Sequence, residues 1–205
     1  MAHLSLLEQP VLVHTRPAIE MDEEQFFRFC QINDDLQIER TAEGDILIMA
    51  PEGGSSGLGS SELLGLFINW AKDNGRGKVF GSSTGFVLPN KAMRAPDIAW
   101  VRKKRLDRLT DEQWEKFLPL CPDFVLELRS PSDSLPRLQE KMQEYRENGA
   151  ELGWLLDPKT KRVYIYRPDK EVEILDDAKT LSCGTVLPGF VLDLRKLWAA
   201  MERKK

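Results

Sequence analysis

Histidine and paired cysteine are scarce in this 205-residue chain, and their scarcity argues against several common sites. The three cysteines, Cys30, Cys121 and Cys183, are odd in number, far apart and outside any Cys-x-x-Cys pair. Neither a disulfide framework nor a thiolate zinc site is therefore indicated, and we expect three buried thiols that pack as small hydrophobes. The two histidines, His3 and His14, lie near the N-terminus, where we interpret them as incidental surface residues.

Long apolar stretches are also missing. No run approaches the roughly 20 apolar residues needed to span a bilayer, and the N-terminus lacks a basic region followed by an apolar signal core. The hydrophobic fraction of 41% and the charged fraction of 30% are typical of a soluble globular protein. We therefore expect one domain over residues 1–205, located in the cytoplasm and not at a membrane.

A large excess of positive charge is absent as well. The net charge of −4 gives the chain no global attraction to nucleic acid. Residues 102–105 and 203–205 are local basic runs, which we interpret as solvated faces.

Three short patterns resemble known motifs, but their context contradicts each one. Residues 81–85 match the Gly-x-Ser-x-Gly of serine hydrolases, yet the segment continues as a strand and both histidines lie upstream. Residues 75–78 lack the Ser or Thr of a phosphate-binding loop, and residues 57–59 lack the third glycine of a dinucleotide fingerprint. We interpret the last two patterns as turns.

Apolar periodicity predicts a mixture of helices and strands. The predicted helices cover residues 22–33, about 58–74, 111–117, 134–148 and 194–201. The predicted strands cover residues 36–40, 45–49, 79–88, 97–101, 124–128, 152–156, 162–166 and 171–175. Residues 51–57, rich in glycine and serine, are predicted to form a flexible connection.

Two acids stand in apolar strands where acids are rare. Asp97 follows Pro96 at the head of the run Ile-Ala-Trp-Val, and Glu127 interrupts the strand over residues 124–128. A carboxylate is seldom fully buried unless a partner pairs with it or binds it, and a divalent metal ion is one such partner. Magnesium usually takes one or two protein carboxylates and keeps positions for water and substrate phosphate. Asp97 and Glu127 are therefore candidate ligands for Mg²⁺ or Mn²⁺.

Two cations and a third acid have the spacing to join them. Because alternate side chains of a strand share a face, Glu127 and Arg129 are predicted to point the same way. Lys141 lies beside the apolar stripe of the helix over 134–148, and Glu62 beside that of the helix over 58–74. Burial can lower the pKa of a lysine, whereas arginine stays charged. We therefore favour Lys141 for assisting an attacking water and Arg129 for binding phosphate or transition-state charge.

Each of these residues also has a structural interpretation. Asp97 can cap a turn, and Glu127 with Arg129 can form a structural ion pair. The Lys141 side chain can extend along apolar surface to water, and Glu62 can simply be solvated. Taken together, however, these residues follow an order that favours a metal site. The order is an acid, then an acid and a cation separated by one residue, and then a lysine on the following helix.

Four segments carry a resemblance to a known family. Residues 95–101, 122–133, 141–149 and 153–158 resemble the Uma-type "putative restriction endonuclease" family, a domain abundant in cyanobacteria that belongs to the PD-(D/E)xK nuclease superfamily. The similarity covers about residues 26–198, and residues 127–133 are its most specific part.

The resemblance implies a restriction-endonuclease-like α/β (α+β) fold, in which a mixed sheet is flanked by helices, here with an N-terminal helix and hairpin extension. It also implies that Asp97 and Glu127 are magnesium ligands, and Glu62 matches an acid sometimes found on the first core helix. Arg129 stands where the superfamily usually has lysine, so either Arg129 or Lys141 supplies the catalytic cation. Many nucleases of this type cut duplex DNA as dimers, so DNA and a second copy of the chain are the implied partners.

Three functions follow as hypotheses. The first is an endonuclease that uses Mg²⁺ or Mn²⁺ to hydrolyse DNA phosphodiester bonds through a metal-activated water. The second is a non-catalytic nucleic-acid-binding or assembly protein that keeps the nuclease fold. The third is an interaction protein whose acids pair only internally.

Overall fold

The computed structural model describes residues 10–74 and 76–202, and these form thirteen strands and six helices. The strands are β1 (Val11–Val13), β2 (Ile38–Arg40), β3 (Ile46–Ile48), β4 (Gly77–Gly81), β5 (Phe86–Val87), β6 (Met93–Arg94), β7 (Ile98–Arg102), β8 (Phe124–Leu128), β9 (Leu152–Asp157), β10 (Arg162–Tyr166), β11 (Glu173–Asp176), β12 (Thr180–Ser182) and β13 (Val191–Asp193). The helices are α1 (Glu23–Ile32), α2 (Gly54–Asn74), α3 (Lys103–Leu106), α4 (Asp111–Trp114), α5 (Leu135–Glu147) and α6 (Leu194–Met201).

Two sheets organise these elements. The larger has six strands in the order β11-β10-β9-β8-β7-β4, and its β8 and β9 are parallel while the other neighbours are antiparallel. The smaller is antiparallel with the order β1-β3-β2-β6-β5, and β12 pairs with β13 separately. The helix α5 connects the parallel strands β8 and β9, as a parallel connection requires.

The four central strands of the six-stranded sheet, β7 to β10, are buried on both faces, as expected for strands that are apolar at consecutive positions. One face packs against α2 and α6 through Phe67 and Trp198, and it presents Leu126 and Trp154. The other face packs against α5 through residues that include Met142. The site described below lies at one end of this sheet, between β7, β8 and α5.

Most predicted elements are confirmed, and two differ for identifiable reasons. The helix α2 begins at Gly54, so part of the predicted flexible connection is helical. Its first turns fit closely against the rest of the protein, because a Cβ added at Gly59 would lie 2.8 Å from Met201 and 3.1 Å from Leu128. Tertiary packing thus overrides the low helix propensity of glycine and serine.

The predicted strand over 79–88 is two strands in different sheets. It divides into β4 and β5, and the amide of Thr84 donates to the carbonyl of Gly81 in the turn between them. The Gly-x-Ser-x-Gly pattern therefore lies in a strand-to-strand turn and does not lead into a helix. Of the predicted thiols, Cys121 and Cys183 are buried and Cys30 is half-buried, and all three are free.

No helix within residues 10–74 and 76–202 is long and apolar enough to cross a membrane. His3, Gly75 and the basic run over 203–205 lie outside the described residues.

Candidate active site

Asp97 and Glu127 face each other across two antiparallel strands. The register of β7 and β8 pairs Ile98 with Leu126, and its continuation by one residue sets Asp97 opposite Glu127. Residues opposite each other in this way have their Cβ atoms about 5 Å apart on the same face. The backbone amide of Leu128 donates to Oδ2 of Asp97 at 2.6 Å, which fixes that carboxylate at the end of the sheet.

Glu127 is 4% exposed and is held by two residues of α5. Its Oε1 lies 2.8 Å from Nζ of Lys141 and accepts a 3.3 Å hydrogen bond from the hydroxyl of Tyr145. Because Lys141 and Tyr145 are four residues apart, they lie on the same face of the helix. The strand β8 and the helix α5 that follows it thus bring an acid and a lysine together.

Sequence analysis did not identify Glu39, which lies in this cluster and comes from the other sheet. This residue of β2 is 1% exposed, and its Oε1 lies 2.8 Å from Nζ of Lys141. Its Oε2 lies 3.2 Å from Nη1 of Arg94. Strand periodicity could not identify Glu39, because β2 has no alternation of buried and exposed residues: Ile38, Glu39 and Arg40 are all buried.

Arg129 does not join Glu127, although the alternation of a strand predicts a shared face. It lies beyond the last residue of β8, where its Nη1 lies 2.8 Å from Oδ2 of Asp157 at the end of β9. Asp157 is fully buried, and it also accepts hydrogen bonds from the amide of Lys159 and the hydroxyl of Thr160. A buried carboxylate needs such partners, and this requirement explains the direction of the arginine.

Glu62 is not brought to the site either. It is exposed on α2 and is not among the residues that line the cavity beside Asp97 and Glu127. Glu52, which precedes the helix, lines that cavity instead.

The cavity has a volume of about 190 Å³ and contains the main charged groups of the site. Its charged lining residues are Glu52, Asp97, Glu127, Asp133 and Lys141. It shares several of its lining residues, among them Asp133 and Lys141, with a cavity of about 470 Å³ beside α5. A molecule larger than the inner cavity therefore has room next to the two acids.

Burial and crowding of charge alter the proton affinities of the cluster. Burial raises the pKa of Asp97 to about 7, against the stabilising effect of the Leu128 amide. Burial raises the pKa of Glu127 to about 8, with Lys141 opposing the rise and Asp97 adding to it. Burial lowers the pKa of Lys141, but Glu127 and Glu39 together hold it above its ordinary value. Burial also raises the pKa of Glu39, yet Lys141 and Arg94 bring it below the ordinary value of a glutamate.

The carboxylates have free oxygens suited to a hard cation. Within the described part of the chain, Oδ1 of Asp97 and Oε2 of Glu127 accept no hydrogen bond from protein. Oxygen ligands suit Mg²⁺, which needs only one or two carboxylates when water and phosphate complete its shell. No group of three or more His, Cys, Asp or Glu side chains with the geometry of a metal site occurs in residues 10–74 and 76–202. The two acids therefore fit an ion that is completed by water or substrate.

The basic run over 102–105 lies away from these acids. It starts at the far end of β7 from Asp97, and Arg102 contacts both Asp123 and Glu151. Arg105 lies 3.2 Å from the same aspartate. These arginines are partly buried members of ion pairs, whereas Lys103 and Lys104 are exposed, so only the lysines form the solvated face that the sequence predicts.

Comparison with known proteins places the chain in a family. A family model described as "Uma2: Putative restriction endonuclease" matches residues 23–195. A crystal structure described as a putative nuclease belonging to DUF820, from Anabaena variabilis, matches with a TM-score of 0.73 and 18% sequence identity over 89% of this chain and 100% of that one. No curated protein matches.

The structural match confirms the predicted fold, a mixed α+β architecture of sheets flanked by helices that is shared with this DUF820 protein. The family match covers 173 of the 205 residues and includes Asp97, Glu127 and Lys141. The chain belongs to the Uma2 family of restriction-endonuclease-like proteins.

Proposed function

We propose that this protein is an endonuclease that hydrolyses DNA phosphodiester bonds with Mg²⁺ or Mn²⁺. The observation that carries the proposal is that Asp97 and Glu127 lie opposite each other on β7 and β8, with the Lys141 ammonium 2.8 Å from Glu127. Two carboxylates and a lysine in one cavity supply cation ligands and a donor for phosphate or water. Membership of a family described as a restriction endonuclease supports the same reaction class.

Each side chain has a distinct part in this proposal. Asp97, oriented by the Leu128 amide, and Glu127 would hold the cation. A bound divalent ion lowers the pKa of a water and offsets charge on the phosphate oxygens. Lys141 donates to the scissile phosphate or orients the attacking water.

Lys141, and not Arg129, is the cation of the proposed site. The two candidates differ in their contacts, since Lys141 lies beside Glu127 while Arg129 pairs with the buried Asp157. We propose that Arg129 stabilises the junction after β8. A homodimer with one site for each DNA strand stays a prediction of the family resemblance.

One observation favours a second candidate function, a nucleic-acid-binding or assembly protein without catalysis. In the described residues the Lys141 ammonium has three acceptors, which are Glu39, Glu127 and the carbonyl of Ala95. A lysine satisfied in this way can serve as a structural ion pair. Catalysis requires that one of these contacts open when cation and substrate bind.

Cleavage of DNA by the purified protein is the direct test. We expect plasmid and linear duplex DNA to be cut with millimolar Mg²⁺ or Mn²⁺, and cutting to stop when EDTA removes the ion. The Glu62→Gln variant is a matched control, because it removes an acid that is exposed and outside the cavity. Absence of cleavage of duplex and single-stranded DNA with either ion, while DNA still binds, would favour the non-catalytic alternative.

Divalent ions are also expected to stabilise the folded protein. An ion that binds only the native state, at 100 times its Kd, adds about 2.7 kcal/mol to the free energy of unfolding. For a chain of this size that corresponds to a rise in Tm of roughly 5–10 °C. Differential scanning calorimetry with and without Mg²⁺ or Mn²⁺ measures the shift, which the Glu62→Gln variant should keep and the Glu127→Gln variant should lose. An equal shift in both variants would place the bound ion elsewhere.

A further inference from the structure

Glu39 is buried at a position where an unpaired carboxylate would destabilise the fold, and each of its oxygens has a partner. Its side chain is 1% exposed and comes from β2, in the five-stranded sheet. Oε1 accepts a 3.0 Å hydrogen bond from the amide of Ala95 and lies 2.8 Å from Nζ of Lys141. Oε2 lies 3.2 Å from Nη1 of Arg94. These contacts keep the carboxylate charged in a buried setting.

The contacts of Lys141 show which anion remains if Glu127 binds a cation. An ammonium group has three N–H donors, and here they meet Glu39 at 2.8 Å, Glu127 at 2.8 Å and the carbonyl of Ala95 at 3.4 Å. A divalent ion on Glu127 competes with Lys141 for that carboxylate and repels the ammonium. Glu39 is then the anion that continues to attract Lys141.

Arg94 does not depend on Glu39 in the same way. Its Nε lies 2.5 Å from Oε2 of Glu144, on α5 one turn after Lys141. Loss of the Glu39 charge therefore leaves Arg94 paired with Glu144, whereas it leaves Lys141 with Glu127 alone, the carboxylate proposed to bind the cation.

We propose that Glu39 is a positioning residue, which holds the Lys141 ammonium at the cavity when the carboxylate of Glu127 binds a divalent cation. The proposal rests on the proposed function for the role of Lys141 in cleavage. The interaction of Glu39 with the Lys141 ammonium is a property of the folded protein and is measurable without substrate. Through Glu39, the five-stranded sheet contributes to a site built mainly on the six-stranded one.

The first test measures the amine of Lys141 directly. The folded protein is labelled with trinitrobenzenesulfonate in Mg²⁺, and the modification of Lys141 is followed by peptide mass spectrometry. We expect Lys141 to react at least about tenfold faster in Glu39→Gln than in the unmodified sequence, because a hydrogen bond between charged groups is lost. Glu43→Gln, the same substitution at an exposed position three residues after the end of β2, should leave the rate unchanged.

The second test is a kinetic cycle on DNA cleavage. Glu39→Gln is expected to lower kcat by about 10- to 100-fold, in the range found when an outer partner of a site residue is removed, and to leave the KM for DNA unchanged. Because Glu39 acts through Lys141, Glu39→Gln should cause little further loss in a Lys141→Ala background. Should Glu39→Gln fail to fold, Glu39→Asp carries both tests, since it keeps the charge and withdraws the carboxylate by one methylene.

Unchanged labelling of Lys141 in the folded Glu39 variant would overturn the positioning proposal, as would losses in kcat that add fully in the double variant. If the protein cuts no DNA but Glu39→Gln still makes Lys141 react faster with the label, the proposed nuclease function is refuted. The proposal that Glu39 positions Lys141 is then retained. The two failures are thus distinguishable.

Discussion

Substitution of Asp97 by asparagine, or of Glu127 by glutamine, is expected to reduce DNA cleavage by about 10³-fold, a loss of about 4 kcal/mol in transition-state stabilisation. The neutral amides keep the shape of the acids but bind a divalent cation weakly. Steady-state cleavage of a labelled duplex at saturating Mn²⁺ measures the loss.

These variants should stay folded, which separates catalysis from stability. Burial raises the pKa of both acids, to about 7 and about 8, so their charged forms are less favourable in the folded protein than in the unfolded chain. The asparagine can still accept from the Leu128 amide, and the glutamine from the Tyr145 hydroxyl. We expect Tm values equal to or above that of the unmodified sequence in metal-free buffer, with Glu62→Gln as the matched control for activity. Cleavage within threefold of the control in both variants would refute the assignment of these acids as ligands.

Substitution of Asp157 by alanine is expected to destabilise the protein by about 3–5 kcal/mol, because it leaves the partly buried guanidinium of Arg129 without its carboxylate. Asp157 also accepts from the Lys159 amide and the Thr160 hydroxyl, so three donors lose their partner at once. For a chain of this length the fall in Tm is roughly 6–20 °C. Urea denaturation followed by circular dichroism gives the free energy of unfolding.

Asp176→Ala provides the matched control. Asp176 also ends a strand and pairs with an arginine, at 2.5 Å from Nε of Arg162, but both side chains are about half-exposed or more. An exposed ion pair contributes about 1 kcal/mol or less. Equal destabilisation by the two substitutions would contradict the structural role that we assign to Asp157 and Arg129. Below its Tm, the Asp157→Ala protein should still cut DNA, since the proposed catalytic cation is Lys141 and not Arg129.

Local patterns were sufficient to predict much of the fold and part of the site. The helix α5 and the strand β8 follow from residues near in sequence, and so does the position of Lys141 beside the apolar stripe that faces the sheet. Asp97 and Glu127 were identifiable because acids are rare in buried strands. The residues that local periodicity recognises are thus the ones whose environment is set by their own helix or strand.

Prediction failed where distant segments decide the outcome. Arg129 was expected beside Glu127, but the buried carboxylate of Asp157 on the neighbouring strand attracts it. Glu39 gave no signal, because its partners Lys141 and Arg94 belong to other elements. Glu62 was placed at the site by helical spacing and by the family resemblance, but the packing of α2 leaves it exposed. Each case depends on which strands and helices become neighbours.

The recruitment of Glu39 from the smaller sheet has a consequence for how the chain tolerates changes in length. Glu39 and Ala95 meet across 56 residues, whereas Glu127 and Tyr145 meet across 18. Because the entropy of closing a loop grows only with the logarithm of its length, the longer closure costs only about 1 kcal/mol more. Insertions in exposed loops between β3 and β7 are therefore compatible with an intact cluster, provided that the packing of α2 is preserved.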